Sequence, residues 1–217
     1  AVGAAFHVSK IKSSNFFSPY LGPDYSSNEI IKLLKLFKIQ YSQENNIESV
    51  TAKIIANGKI VGWFQGRMEC GPRALGNRSI LADPRNEEMK SRLNNVKGRE
   101  LWRPFGLSIL KKEAPKLLDD FSQSPFMLKS FSINKKWQQK IKAAVHVDFS
   151  TRPQIVTKAQ NPRFNNLLKE YNKLTGVPAL INTSFNYNKE PVVCSPVDAI
   201  RTFYSSGLDY LVMGNII

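Results

Sequence analysis

From Glu29 onward, apolar residues fall at Ile30, Ile31, Leu34, Phe37 and Ile39 with lysines between them, a spacing that predicts an amphipathic helix. Ser27 is the expected cap, because its side-chain oxygen can accept an orphan backbone N–H. A shorter helix is expected over 47–56, closed by Asn57-Gly58. The run KIVGWFQ, 59–65, is apolar without alternation and predicts a strand buried on both faces. Further on, 86–94 reads as helix, PFGLSILK (104–111) as strand and 114–121 as a short helix. One helix near 134–142 is expected within an otherwise irregular stretch from 122 to 142. HVDF (146–149) and PQIVT (153–157) read as short strands.

The last third is patterned more firmly. Asn161 is placed to cap a helix and Pro162 to occupy its first turn, and Phe164, Leu167, Leu168, Tyr171 and Leu174 recur at helical spacing up to Gly176. PALIN (178–182) predicts a buried strand. Ser195-Pro196-Val197-Asp198 opens another helix with a cap and an acidic third position. Gly207 ends that helix, and DYLVM (209–213) is the last expected strand. Strands alternating with helices predict an α/β layered domain. No internal repeat or low-complexity segment interrupts it, and residues 1–25 read as a lead-in.

Bulk properties narrow the partners. No window of eighteen apolar residues occurs, so no membrane-spanning helix is expected, and AVGAAFHVSK lacks the basic-then-apolar order of a secretory signal. With no initiator Met, the chain reads as part of something longer. Two cysteines, Cys70 and Cys194, and two histidines make neither a disulfide framework nor an all-protein metal site, and a reducing cytoplasmic setting is expected. The net charge of +14 suits nucleic acid, an acidic membrane surface or polyanionic small molecules. Lys129, Lys135, Lys136, Lys140 and Lys142 lie in diffuse surroundings and read as a solvated face. The arginines fall within motifs instead.

Four constellations carry candidate chemistry. GRMECGPRALGNRS and the residues after it place Arg67, Arg73, Arg78 and Arg85 among Gly66, Gly71 and Gly76. Glycines bring backbone N–H groups close to a ligand, and guanidinium forks match phosphate or carboxylate oxygens. Glu69 and Asp83 stand as alternative ion-pair partners for these arginines, but four at this density point to an anion site. In KGRELWRPF, Lys97, Arg99 and Arg103 would share one face of a strand. In HVDFSTRPQ, Asp148 could fix the His146 imidazole if both lie on a strand, and Arg152 follows. INTSFNYN offers Asn182, Thr183, Ser184, Asn186 and Asn188 at the carboxyl end of a strand, where open α/β sheets bind ligands.

Together these segments resemble the C-terminal part of the NodU/CmcH-type carbamoyltransferases. The motifs GRMExGPRALGxRSILADPR, VKxRExxRPF, HVDxxxRxQ, TGVPxLxNTSFN and SPxDAxxxF follow one another in order over nearly all of 58–214. The resemblance implies an α/β, YrdC-like open twisted mixed sheet with flanking helices over 26–217. It implies that 1–25 is the tail of a separate N-terminal actin-like domain plus a linker. It further implies that the domain binds ATP, with Mg2+, and carbamoyl phosphate and forms carbamoyl-adenylate. The N-terminal domain, holding iron, would then pass the carbamoyl group to an acceptor. By the same resemblance Lys97 and Arg99, with Arg103, contact nucleotide phosphates, and Asn182, Ser184 and Asn186 line the nucleotide site. Arg67, Arg73 and Arg78, with His146 and Arg152, hold carbamoyl phosphate, with Arg73, His146 and Arg152 catalytic. Cys70 stands where a bulky apolar residue is expected, and Phe149 where glycine is common. An RNA-binding module and a non-catalytic nucleotide-binding domain are the competing readings, and few aromatics accompany the basic motifs as single-strand binding would want.

Overall fold

A computed structural model describes residues 2–9 and 18–217. Helix α1 (Val2–Ser9) precedes a stretch, 10–17, that lies outside the described residues together with most of the expected linker. Helix α2 (Ser27–Leu36) is capped by Ser26, one residue before the expected Ser27. The reason is Glu29: counted from Ser26 it is the third helical residue, and its carboxylate accepts from the Ser26 N–H at 2.8 Å while Ser26 Oγ accepts from the Glu29 N–H. Helix α3 (Ile47–Ala56) matches its expected span.

Six strands build one sheet: β1 (Val61–Phe64), β2 (Arg78–Ala82), β3 (Gly106–Leu110), β6 (Gln154–Val156), β7 (Ala179–Ser184) and β8 (Tyr210–Met213). Their order is β6-β3-β7-β2-β1-β8. The outer pairs β6/β3 and β1/β8 are parallel, and the pairs through the middle are antiparallel. Every residue of β1 and β2 is buried, as an apolar run without alternation requires. Strand β2 went unpredicted, because RSILA sits inside the Gly- and Arg-rich motif and too few apolar residues follow the glycines to signal it. A small second sheet pairs β4 (Phe131–Ser132) with β5 (Ser150–Thr151).

Helices flank the six-stranded sheet. Helix α7 (Pro162–Thr175) packs on α3, β3 and β7, while α8 (Pro196–Ser205) packs on β1, β8 and α2. Both open on the caps expected from sequence, Asn161 and Ser195, and Gly176 closes α7 in the left-handed region at φ 71°. Trp63, Phe164, Tyr171 and Phe185 are fully buried between these layers. The remaining helices are α4 (Glu88–Val96), α5 (Ala114–Leu117) and α6 (Lys135–Gln138), with a 3-10 turn at Lys142–Ala144 in place of the longer helix expected there.

Two expectations fail where the site is built. Residues 97–103 do not form a strand: Lys97 is the C-cap of α4, and the chain turns before β3 begins at Gly106. Residues 146–149 are a turn closed by the Phe149 N–H on the His146 carbonyl, 3.0 Å, and extended structure starts at Ser150. A turn forms there because Asp148 Oδ1 accepts from the Ser150 N–H at 3.0 Å, which bends the backbone back on itself.

Candidate functional site

The arginine motif is the connection between the antiparallel strands β1 and β2. A buried carboxylate organises it. Glu69 Oε1 accepts from the backbone N–H groups of Leu75 (2.7 Å), Asn77 (2.7 Å) and Arg78 (3.2 Å). Glu69 therefore spends its charge on the loop's own backbone and not on an arginine. Removing it would strand three buried donors, so Glu69→Ala is expected to cost about 3 kcal/mol or more in urea denaturation. Glu69→Gln, which keeps a neutral acceptor, is expected to cost about half of that.

Arg78 is fully buried. Its NH1 donates to the carbonyls of Gln65 (2.7 Å) and Gly66 (3.0 Å), its NH2 donates to Pro23 O (3.1 Å), and its guanidinium stacks 3.6 Å from the Phe64 ring centroid. This geometry makes Arg78 a staple of the loop, with its terminal nitrogens committed away from any ligand. Arg85 is engaged as well, in a 2.6 Å ion pair with Asp83, whose other oxygen accepts from Tyr171 at 2.7 Å. Arg67 is exposed but donates to the carbonyls of Leu21 (2.6 Å) and Gly22 (3.1 Å). Residues 19–23 thus form part of the loop's support. Tyr20 Oη donates to Leu75 O at 2.9 Å, and Cys70 and Met68 donate their N–H groups to Pro19 and Pro23.

Arg73 remains. It is half-buried, its Nε is enclosed without a hydrogen-bond partner, and the same holds for Arg152. Neither makes an ion pair among the described residues. Burial, and next the positive charge of Arg73, pull Arg152 below its ordinary pKa, which places the two guanidiniums within each other's field. Between them the loop is tied to the sheet by three polar side chains. Asn182 Nδ2 donates to Ala74 O (3.2 Å) and Ser108 Oγ (2.9 Å), and Gln154 Nε2 donates to Leu75 O (2.8 Å). Ser108 stands opposite Gln154 in the parallel pair, so both project from one face of the sheet. Ser108 and Gln154 were missed at the sequence level, since a lone Ser or Gln in an apolar strand carries no signal until its register is known.

A second basic group lies around the start of β3. Arg99 stacks 4.5 Å from the Phe105 ring centroid and donates from Nε to Asn94 Oδ1 at 2.7 Å. Burial, then Arg103, push Arg99 down to about 10. Arg103 is exposed and paired with Glu100 at 2.7 Å. Lys97 is buried, and its Nζ donates to Ser184 O (2.6 Å), Asn186 O (2.8 Å) and Asn186 Oδ1 (2.6 Å). Burial first, and Arg99 second, push its ammonium down to about 7. The NTSFN segment is thus clamped onto the end of α4, and Asn188 extends the clamp by donating to Gly98 O at 2.8 Å.

His146 lies beside Phe105, the residue on which Arg99 stacks. Its Nε2 lies 3.3 Å from Phe105 O, and its Nδ1 lies 3.4 Å from Ser150 Oγ, which donates to Asp148 Oδ1 at 2.7 Å. Asp148 therefore reaches the imidazole through Ser150, not by sharing a strand face with it. Phe149, exposed, adopts φ 59°. That left-handed conformation is the physical reason glycine suits the position.

The open mixed sheet with flanking helices is that of the YrdC-like α/β fold, and the two basic groups lie at one end of its central strands. The structure of P. abyssi Sua5 complexed with L-threonine superposes with a TM-score of 0.55 at 15% identity, over 77% of this chain and 46% of that one. T. kodakarensis HypF superposes with a TM-score of 0.56 at 16% identity, over 80% of this chain and 20% of that one. Sequence narrows the class further: the chain belongs to the carbamoyltransferase C-terminus family, whose model matches residues 52–217. Nodulation protein NolO of Bradyrhizobium diazoefficiens is 43% identical over 202 residues, covering 90% of this chain and 37% of that protein. The chain spans about 30–43% of the length of five curated relatives it matches.

Proposed function

We propose that this domain binds ATP and carbamoyl phosphate and joins them as carbamoyl-adenylate, for transfer by a separate N-terminal domain. The observation that carries this reading is the pair Arg73 and Arg152, two half-buried guanidiniums without an ion pair among the described residues, whereas Arg78, whose Nε is equally unpartnered, has both terminal nitrogens engaged. Such a pair is costly unless an anion completes it. Carbamoyl phosphate is the anion assigned to it, with His146 beside it. Arg99 and Arg103, beside the Lys97 clamp on Ser184 and Asn186, take the nucleotide phosphates.

In this scheme carbamoyl phosphate gives up its phosphate to water, and the carbamate that remains attacks the α-phosphorus of ATP. The new P–O bond forms as the bond to pyrophosphate breaks. Fixed cations on both sides stabilise the charge that develops. Arg67, Arg78 and Asn182 hold the loop and the sheet in place. The described residues include no cluster of three or more His, Cys, Asp or Glu. Magnesium would therefore arrive on the nucleotide's own phosphate oxygens, which suits an ion that keeps its waters. Iron belongs to the N-terminal domain. No helix among the described residues is long and apolar enough to cross a membrane, and the cytoplasm supplies both substrates.

Incubation with ATP, Mg2+ and carbamoyl phosphate tests the reading: pyrophosphate and carbamoyl-adenylate should appear together, and their absence from the full-length protein would overturn it. ATP binding without turnover there would favour the non-catalytic alternative. Lys97 supplies an independent check. Burial first, and Arg99 second, pull it down to about 7, so part of it gives up its proton at pH 8, and phosphates brought nearby raise its pKa. ATP binding at pH 8 should therefore take up a fraction of a proton. Calorimetry in two buffers of different ionisation enthalpy measures it, and Lys97→Met should abolish the uptake. The same sign makes ATP affinity fall as pH rises from 7 to 9.

A further inference from the structure

At the opposite end of β3 from the candidate site, the parallel strands β3 and β6 run out into a second basic cleft, about 430 Å3 in volume. Lys111, Lys112, Lys158 and Lys169 line it, with Asn165 and Asn172 from α7. All four lysines are exposed, and none forms an ion pair among the described residues. One carboxylate, Glu113, also borders the cleft, but Lys116 engages it at 2.7 Å. The cleft's own four positive charges are left unbalanced. Asn165 is 5% exposed, and its Oδ1 is enclosed with no hydrogen-bond partner.

We infer that this cleft is a second anion site, for compact oligophosphates of the pyrophosphate class. The volume is that of a small-molecule pocket. Lysine ammonium groups are compact, mobile point charges that suit a multiply charged ligand with oxygens on all sides. No aromatic side chain lines the cleft, so a nucleobase would find nothing to stack on. Nothing here depends on the reaction proposed for the other end of β3.

Calorimetric titration of the whole chain with pyrophosphate should show a class of site at the lysine cleft, alongside any at the arginines. The variant K112Q/K158Q/K169Q should lose that class, its affinity falling more than tenfold. The charge-matched variant K129Q/K135Q/K136Q should keep the lysine-cleft class within twofold, and so should R73Q/R152Q. Equal losses in the two lysine variants would overturn the site in favour of net charge alone. Single-stranded RNA that depends on K112, K158 and K169 while pyrophosphate does not would overturn it in favour of a nucleic acid. Should the triple variant fail to fold, amide shift mapping on the unaltered protein decides. Pyrophosphate should move the signals of Lys112, Lys158 and Lys169, and unmoved signals there would overturn the site.

Discussion

Arg152→Ala should lower carbamate-dependent pyrophosphate release by about 10²–10³-fold, the range for losing one preorganised donor at a developing charge. The melting temperature should meanwhile hold within about 3 °C or rise, a window worth roughly 1 kcal/mol for a chain of this size. The two outcomes follow from one arrangement. Arg152 carries a buried Nε with no partner and sits in the field of Arg73, so in the absence of ligand it adds little that holds the fold together. Sites that work by concentrating like charge are destabilised in their empty state, and truncating them commonly trades activity for stability. Arg73→Ala should behave in the same way. Arg152→Lys should recover charge but not the fork, leaving most of the rate loss in place. Steady-state pyrophosphate release and a thermal melt of the same preparations are the two measurements. A marked fall in melting temperature would show that the pair is structural and sink the anion-site assignment.

Gly76→Ala should be the most damaging single-methyl change in the arginine loop, costing about 2–5 kcal/mol from strain and overpacking together. Gly76 adopts φ 101°, where a side chain is strained by about 1–2 kcal/mol. A Cβ there would run into Phe164 Cδ1 and lie 2.6 Å from Cγ, and Phe164 is fully buried in the first turn of α7. Overpacking of such a ring typically adds another 1–3 kcal/mol, roughly. The loop cannot move aside, because Gly76 O accepts from Trp63 Nε1 at 2.9 Å and its N–H donates to Ser79 Oγ at 3.1 Å. Gly58→Ala provides the comparison. Gly58 has φ 75°, but nothing lies within 4 Å of the place its new methyl would take, so only the backbone strain of about 1 kcal/mol remains. Urea midpoints of the two variants separate strain from packing, and equal costs would discard the packing argument.

What the sequence made legible was the chemistry that acts within a few residues. Asn161, Pro162 and Gly176 bracket α7 as expected, and Ser195 with Asp198 opens α8, because caps and left-handed exits are local events. Lys97 and Arg99 were legible as residue types but not as geometry. Their turn exists because α4 ends at Val96 and Lys97 finds its acceptors on the NTSFN segment far along the chain. The same limit explains Arg78. Both arginines sit in the same Gly-rich motif, and only Gln65 O, Gly66 O, Pro23 O and the Phe64 ring decide that Arg78 has its terminal nitrogens engaged within the fold. Ser108 and Gln154 became part of the site only through strand register.

The placement of β7 has a consequence for biosynthesis. It lies between β3 and β2, pairing with both, although the residues of β2 are made about a hundred residues earlier. A nascent chain therefore holds β2 and β3 with one edge each unsatisfied until Ser184 has left the ribosome, so the central sheet cannot close during most of translation. Those strands are buried almost throughout in the finished sheet, which makes the emerging domain a client for holding chaperones and makes any product truncated before residue 179 prone to aggregate. The same delay orders assembly in time: Asn182, Ser184 and Asn186 complete both basic groups in the step that seals the sheet, so an unfinished domain has neither group in place.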